Sequence, residues 1–314
     1  MKKILYTLFL VVSTSWAGTA QLALESYDNK QVEKSISQFK ALADKGNSKA
    51  QYNLGIIYYE GQGVKADIPK AIEWFQKSAE KGNSNAMYNL GSLYINGENV
   101  KKDEYMAFYW FEKAAKLGDK VSQHQLGKMY ASIEKNQKKS FYWIAKAASQ
   151  NLPQAQLDLA SFYKNGSVVS KNDERSFYWN EMAASQGLEE AQYNIYLAYF
   201  DGKGVENNRE LAIKWLTLAA NKGYPIAQYD MGKVYEKAIT VPQDYKKAAS
   251  WYEKAAKQNN AEAQYDLGIL HSKGLGVQKD YAQAFRWFEK SDANGKKEAK
   301  ATMNAMESLV NTKK

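Results

Sequence analysis

Seven tryptophans, Trp74, Trp110, Trp143, Trp179, Trp215, Trp251 and Trp287, follow one another at steps of 36, 33, 36, 36, 36 and 36 residues. A second series keeps the same phase: Ala50, Ala86, Ser122, Ala155, Ala191, Ala227 and Ala263, each followed four residues later by Leu54, Leu90, Leu126, Leu159, Ile195, Met231 or Leu267. Self-similarity at such a period is the mark of small units that bury their apolar faces only by stacking on one another. It replaces the expectation of about two globular domains that the length would otherwise carry. The 23 tyrosines, 8 tryptophans and 11 phenylalanines are too many large rings for a disordered polar chain.

Each unit reads as a pair of helices, A and B. Ala50, Leu54 and Tyr58 are spaced by four and share one face of the A helix, and Gly55 is read as leaving room for a neighbouring backbone. A glycine-bearing loop such as Glu60-Gly61-Gln62-Gly63-Val64 ends the A helix. Asp67 then caps the B helix, with Asp103, Asn208, Asp244 and Asp280 in the same place, because their side chains accept the free N–H groups of a first turn. In the B helix the expected buried stripe is Ala71-Trp74-Ser78, repeated as Ala107-Trp110-Ala114 and Ala284-Trp287-Ser291.

The turn after each B helix reads Gly46, Gly82, Gly118, Asn151, Gly187, Gly223, Asn259 and Gly295. Glycine and asparagine are the residues that tolerate the left-handed conformation closing a helix, so one steric rule covers the column. The four prolines agree: Pro69 and Pro225 fall in first turns, Pro153 just before a helix and Pro242 in a loop.

The unit Ala-Gln-Tyr-Asn-Leu-Gly-x-x-Tyr, then Gly-x-Gly-Val, then Asp-x-x-Lys-Ala-x-x-Trp-x-x-Lys-Ala-Ala-x-x-Gly resembles the Sel1-like repeat, a slightly longer relative of the tetratricopeptide repeat. The resemblance implies an all-α fold, a right-handed α-solenoid of antiparallel helix pairs whose A helices line a concave face. It also implies an adaptor or scaffold for protein complexes, exported bacterial members acting at the envelope or towards host cells. Residues 21–47 are read as a partial leading pair, with Phe39 near the tryptophan position. Residues 48–295 are read as seven repeats and 296–314 as a capping helix with a tail. The third repeat is short, and its connection Ala131-Ser132-Ile133-Glu134-Lys135-Asn136 lacks Gly-x-Gly-Val. The sixth has Lys237-Ala238-Ile239-Thr240-Val241-Pro242 in that place.

Residues 1–20 read as a cleavable secretory signal: basic Met1-Lys2-Lys3, an apolar run from Ile4 to Val12, then small residues with cleavage after Ala17 or Ala20. The run is shorter than the roughly 20 residues of a membrane span. The expectation is a periplasmic protein, with secretion as the alternative. The formal charge of +9 becomes about +7 without Lys2 and Lys3. An exported chain meets little nucleic acid, so an acidic protein or surface is the partner such a balance suggests, although no run of five like charges occurs.

Little in the chain points to catalysis. The absence of cysteine excludes disulfides, thiolate nucleophiles and cysteine-ligated metals. His124 stands in the column of Tyr52 and Tyr88, and His271 in that of Tyr58 and Tyr94, so each replaces a structural ring. Ser37-x-x-Lys40, Ser78-x-x-Lys81 and Ser132-x-x-Lys135 match a penicillin-recognising motif without its companion elements. Some cysteine-rich Sel1-like proteins are described as β-lactamases, and this chain lacks their cysteines. Gly61-x-Gly63, Gly202-x-Gly204 and Gly274-x-Gly276 follow no strand and are not nucleotide loops. No cofactor or metal is implied; the alternatives to a scaffold are an envelope enzyme, β-lactamase-like or a cell-wall hydrolase, and a secreted host-interaction factor.

Binding has better candidates. Tyr52, Tyr88, His124, Leu157, Tyr193, Tyr229 and Tyr265 share an A-helix column, with Ile56, Ser92, Lys128, Ser161, Leu197, Lys233 and Ile269 one turn on. The resemblance places both columns on the groove. Tyrosines there can anchor a protein or peptide ligand, since they bury area at little entropic cost, or they can pack between adjacent A helices. Both readings are open at the level of sequence.

Overall fold

The computed structural model describes residues 29–97 and 99–311. The segment read as a secretory signal, the other residues up to 28, residue 98 and the last three residues lie outside these. Among the described residues there are sixteen helices and no strand. They fall into two compact units, one ending at Glu134 and one beginning at Lys135.

The first unit contains α1 (Asn29–Asp44), α2 (Ser48–Glu60), α3 (Ile68–Glu80), α4 (Ser84–Asn96), α5 (Glu104–Lys116) and α6 (Lys120–Ser132). The second contains α7 (Gln137–Ser149), α8 (Pro153–Asn165), α9 (Asp173–Ser185), α10 (Glu189–Asp201), α11 (Arg209–Asn221), α12 (Pro225–Glu236), α13 (Tyr245–Ala256), α14 (Ala261–Lys273), α15 (Tyr281–Ala293) and α16 (Lys297–Asn311). Within each unit every helix packs on its sequence neighbour, so each is a stack of antiparallel helix pairs, the α-solenoid arrangement. The third repeat supplies α6 to the first unit and α7 to the second.

Local chemistry sets these boundaries. Asp67, Asp103, Asn136, Asn172, Asn208, Asp244 and Asp280 each accept a first-turn backbone N–H of a B helix. The cap's own N–H reaches back to the A helix, from Asp67 to the carbonyl of Tyr58 at 2.8 Å and from Asp280 to that of His271 at 3.0 Å. That bond uses only backbone, which is why His271 can stand in a tyrosine column. The eight turn residues all have positive φ, including Asn151 at 62° and Asn259 at 64°. Pro69, Pro153 and Pro225 occupy first turns, so Pro153 lies inside its helix rather than before it.

The buried stripe differs from the expected one. Six of the seven repeat tryptophans are half-buried, and Trp110 alone is buried. The column buried in all seven repeats is one residue on: Phe75, Phe111, Ile144, Asn180, Leu216, Tyr252 and Phe288. Phe39 of α1 belongs to it as well. One step along a helix turns a side chain by about 100°, enough to move from the hairpin interior to the seam between hairpins. The indoles work at that seam, Trp179 packing against the core cluster that holds Ile144 and Leu159, and Trp251 against the one that holds Leu216 and Met231. Lysines three residues on cover the outer ring faces, with Lys254 Nζ 3.8 Å from the Trp251 ring centroid and Lys77 Nζ 4.3 Å from that of Trp74.

Gly55 also makes a different close approach from the one anticipated. The position its Cβ would take lies 2.4 Å from ring carbons of Phe75, and that of Gly232 lies 2.4 Å from the ring of Tyr252. A side chain of the partner helix, not its backbone, fills the glycine notch.

A glutamine column couples six of the seven hairpins to the helix before. Gln51, Gln123, Gln156, Gln192, Gln228 and Gln264 donate through Nε2 to the carbonyl eight residues earlier, on the last turn of the preceding B helix. Each of these carbonyls also accepts the backbone N–H of the turn residue three positions on, so the glutamine supplies its second hydrogen bond. The two irregular connections hold non-glycine residues at positive φ: Lys135 in the third repeat, and Ala238 and Thr240 in the sixth.

Candidate functional site

The A helices of the second unit bring Tyr193, Tyr229 and Tyr265 into a ladder, all three half-buried. Ring faces pack inward: Tyr229 on Tyr252 with centroids 5.6 Å apart, Tyr265 on Phe288 at 5.3 Å and Tyr193 on Tyr196 at 5.5 Å. Their hydroxyls reach the next repeat. Tyr193 Oη donates to Asp230 Oδ2 at 2.8 Å and Tyr229 Oη to Asp266 Oδ2 at 3.1 Å, while Tyr265 Oη bonds Thr302 Oγ1 of α16 at 3.1 Å. The tyrosines therefore pack between adjacent A helices, and their half-exposed edges are what remains for a ligand.

In the first unit Tyr52 and Tyr88 are also half-buried, on Phe75 and Phe111, and Tyr52 is hydrogen-bonded to the Asn89 side chain. His124 of the same column is buried and Lys128 is exposed. Lys233 belongs to the second unit, with its Nζ 3.8 Å from Asp230 Oδ1 and 5.2 Å from the Tyr229 ring centroid. The eight residues thus occur as two separate sets, Tyr52, Tyr88, His124 and Lys128 in one unit and Tyr193, Tyr229, Tyr265 and Lys233 in the other.

The electrostatics of the second set were not anticipated from sequence. Burial, then the charge and hydrogen bond of Asp230, push the Tyr193 hydroxyl far above its ordinary range, and burial with Asp266 does the same to Tyr229. Asp230 is raised by burial, opposed by Tyr193 and Lys233. Asp266 is raised to about 6, first by burial and then by Glu236 and Glu262, against the Tyr229 hydrogen bond and Lys296. The hydroxyl of the fully buried Tyr252 donates a hydrogen bond to Glu236 Oε2 at 2.5 Å. The signal available in sequence was Asp230 and Asp266 standing 37 residues after Tyr193 and Tyr229.

The serines of the Ser-x-x-Lys matches are committed to backbone: Ser37 Oγ donates to the Lys34 carbonyl, Ser78 Oγ to that of Ser48 and Ser132 Oγ to that of Lys128. A cavity of about 540 Å³ lies at the Gly202-x-Gly204 loop, lined by Asn172, Asp173, Glu174, Val205 and Glu206 among others. Among the described residues no group of histidine and carboxylate side chains is arranged to hold a metal ion. No helix among them is long and apolar enough to cross a membrane.

Stacked helix pairs joined by side-chain ladders define a helical-repeat protein. The chain belongs to the Sel1 repeat family, whose pattern matches residues 48–83, 84–119, 120–152, 153–188, 190–224, 225–260 and 261–293. A Sel1 repeat protein from Oxalobacter formigenes is 34% identical, with a TM-score of 0.74 over 91% of this chain and 84% of that one. The protein c5321, a protective antigen present in uropathogenic Escherichia coli strains and displaying the same repeat fold, is 32% identical with a TM-score of 0.77. That match covers 89% of this chain and 60% of c5321, so this chain spans about three fifths of that relative. No curated protein matches the chain. Sel1 repeats generally build non-catalytic scaffolds for protein interaction.

Proposed function

We infer that this chain is an exported scaffold or regulator of an envelope complex, docking a protein or peptide partner on the A-helix face of its second unit. The observation that carries the reading is the ladder itself. Three rings at 36-residue intervals present half-exposed edges beside Leu197, Lys233 and Ile269, a surface of aromatic, apolar and polar groups of the kind protein interfaces use. Export rests on the three-part pattern of residues 1–20.

Crosslinking in intact cells followed by mass spectrometry tests the docking. A reproducible partner whose crosslinks map to α10, α12 and α14 supports it, and crosslinks confined to the B helices contradict it. N-terminal sequencing after cell fractionation tests export; an intact Met1 in the cytoplasm overturns it. The likeness to a protective antigen favours a second reading, a host-facing role after secretion. Detection of the protein in culture medium separates the two. Turnover of nitrocefin or peptidoglycan by the purified chain would instead make it an enzyme.

A further inference from the structure

We propose that the partner segment held by repeats five to seven is basic, an extended peptide whose lysine or arginine side chains pair with Asp230, Asp266 and Glu236. The proposal rests on the docking reading above and reverses the sign that net charge alone suggests.

The repeats contain their own control. Tyr52 uses the neutral amide of Asn89, Tyr265 uses the hydroxyl of Thr302, and Tyr193 and Tyr229 use carboxylates, all in one column. Coupling one A helix to the next therefore needs a hydrogen-bonding group and no charge. A carboxylate in a half-buried place adds a desolvation cost that an amide avoids, without adding a coupling the amide cannot make. At Asp266 that charge meets no ion-pair partner among the described residues, and at Asp230 it is shared with Lys233 alone.

The countercharges on this face are mostly engaged. Lys296 Nζ lies 2.6 Å from Glu262 and 3.9 Å from Glu298, and Lys233 lies beside Asp230. Among the described residues Asp266 and Glu236 enter no ion pair; the groups bonded to them are the phenols of Tyr229 and Tyr252. The charge raising Asp266 comes from Glu236 of α12 and Glu262 of its own helix, with Tyr229 of α12 and Lys296 ahead of α16 opposing. A chain of formal charge +9 thus carries a local negative patch.

The ladder also shows which cation fits. Two of the protein's own ammonium groups already lie against its rings, Lys233 over Tyr229 and Lys296 over Tyr265, with centroid distances of 5.2 and 5.0 Å. An incoming lysine or arginine would repeat that arrangement, its stem along a ring and its charge on a carboxylate. Ile226, 44% exposed and in one column with Glu190 and Glu262 of the neighbouring repeats, offers an apolar neighbour for the rest of the peptide.

The test is selection of dodecapeptides from a random displayed library on the full chain, with benzoylphenylalanine at position 226 reporting where they sit. The expected peptides are rich in lysine and arginine and crosslink from position 226. They bind at least tenfold more weakly to Asp230→Asn/Asp266→Asn and to Glu236→Gln, and more weakly as the pH falls from 7.5 to 5. Asparagine already serves this column at Asn89, so circular dichroism should show the double variant folded. Peptides that crosslink from position 226 but are neutral or acidic, or that ignore the amide variants, overturn the basic partner and leave docking intact. Peptides that never crosslink from there, or no enrichment, overturn both.

Discussion

The ring of Phe75 occupies the space where Gly55 lacks a Cβ, so an added methyl group would stand 2.4 Å from two of its carbons. Large and small trade places across this contact along the chain. Gly55, Gly91, Gly232 and Gly268 face Phe75, Phe111, Tyr252 and Phe288, whereas repeat five has Tyr196 in the glycine column and the smaller Leu216 in the ring column, within one cluster. Gly55→Ala should therefore cost about 1–3 kcal/mol by overpacking. The double variant Gly55→Ala/Phe75→Leu should recover part of that loss in thermal melts, and a destabilisation that adds up across the two changes would contradict the contact.

Asp266 should make stability depend on pH in an unusual direction. Its folded value of about 6 lies above the ordinary 3.8, so the folded chain holds this proton more tightly than the unfolded one. The group's contribution to stability then rises as the pH falls from about 7 towards 4. Asp266→Asn should stabilise the protein at pH 7.5 by about 1–2 kcal/mol, with the advantage fading below pH 5. An Asn variant that is less stable at pH 7.5 would show that the carboxylate holds the ladder together.

The glutamine column gives a prediction with a natural precedent. Gln228 donates to the Ala220 carbonyl at 3.2 Å and accepts from Gln258 at 2.8 Å. Gln228→Ala should cost about 1–3 kcal/mol because it removes both hydrogen bonds and empties the space of a buried side chain. Gln228→Met should cost less than Gln228→Ala, since Met87 fills this column in repeat two, buried. Equal melts for the two variants would show that packing plays no part at the position.

Thr240 is exposed, β-branched and held at φ 60°, a conformation that favours glycine. Thr240→Gly should raise stability by about 1 kcal/mol through relief of that strain, read as a higher denaturation midpoint. A lower midpoint would place a needed side-chain contact in the loop.

Much of this architecture could be read from sequence because backbone rules act locally. A left-handed turn admits glycine or asparagine and little else, and a helix N-terminus calls for a short polar side chain, so Gly46 to Gly295 and Asp67 to Asp280 marked the turns and caps. The buried column was missed because it holds Phe, Ile, Asn, Leu and Tyr in turn, whereas the uniform tryptophan beside it drew attention to the seam. The hydroxyl acceptors were missed for a related reason. Asn89, Asp230, Asp266 and Thr302 look like ordinary surface polarity until the helices are placed side by side, and only the assembled stack shows that a tyrosine contacts the following repeat. Two readings of the tyrosines were open, packing and binding; the structure shows packing, and the exposed edges keep binding in play.

The account turns on the tyrosine ladder of the second unit serving as the docking face. The most direct measurement places benzoylphenylalanine at Ile226 on the A-helix face, or at the exposed Tyr178 of α9 on a B helix, in the full chain expressed in its native cells, and irradiates. The account predicts a discrete adduct from position 226 that is absent from position 178. Adducts from position 178 alone would contradict it.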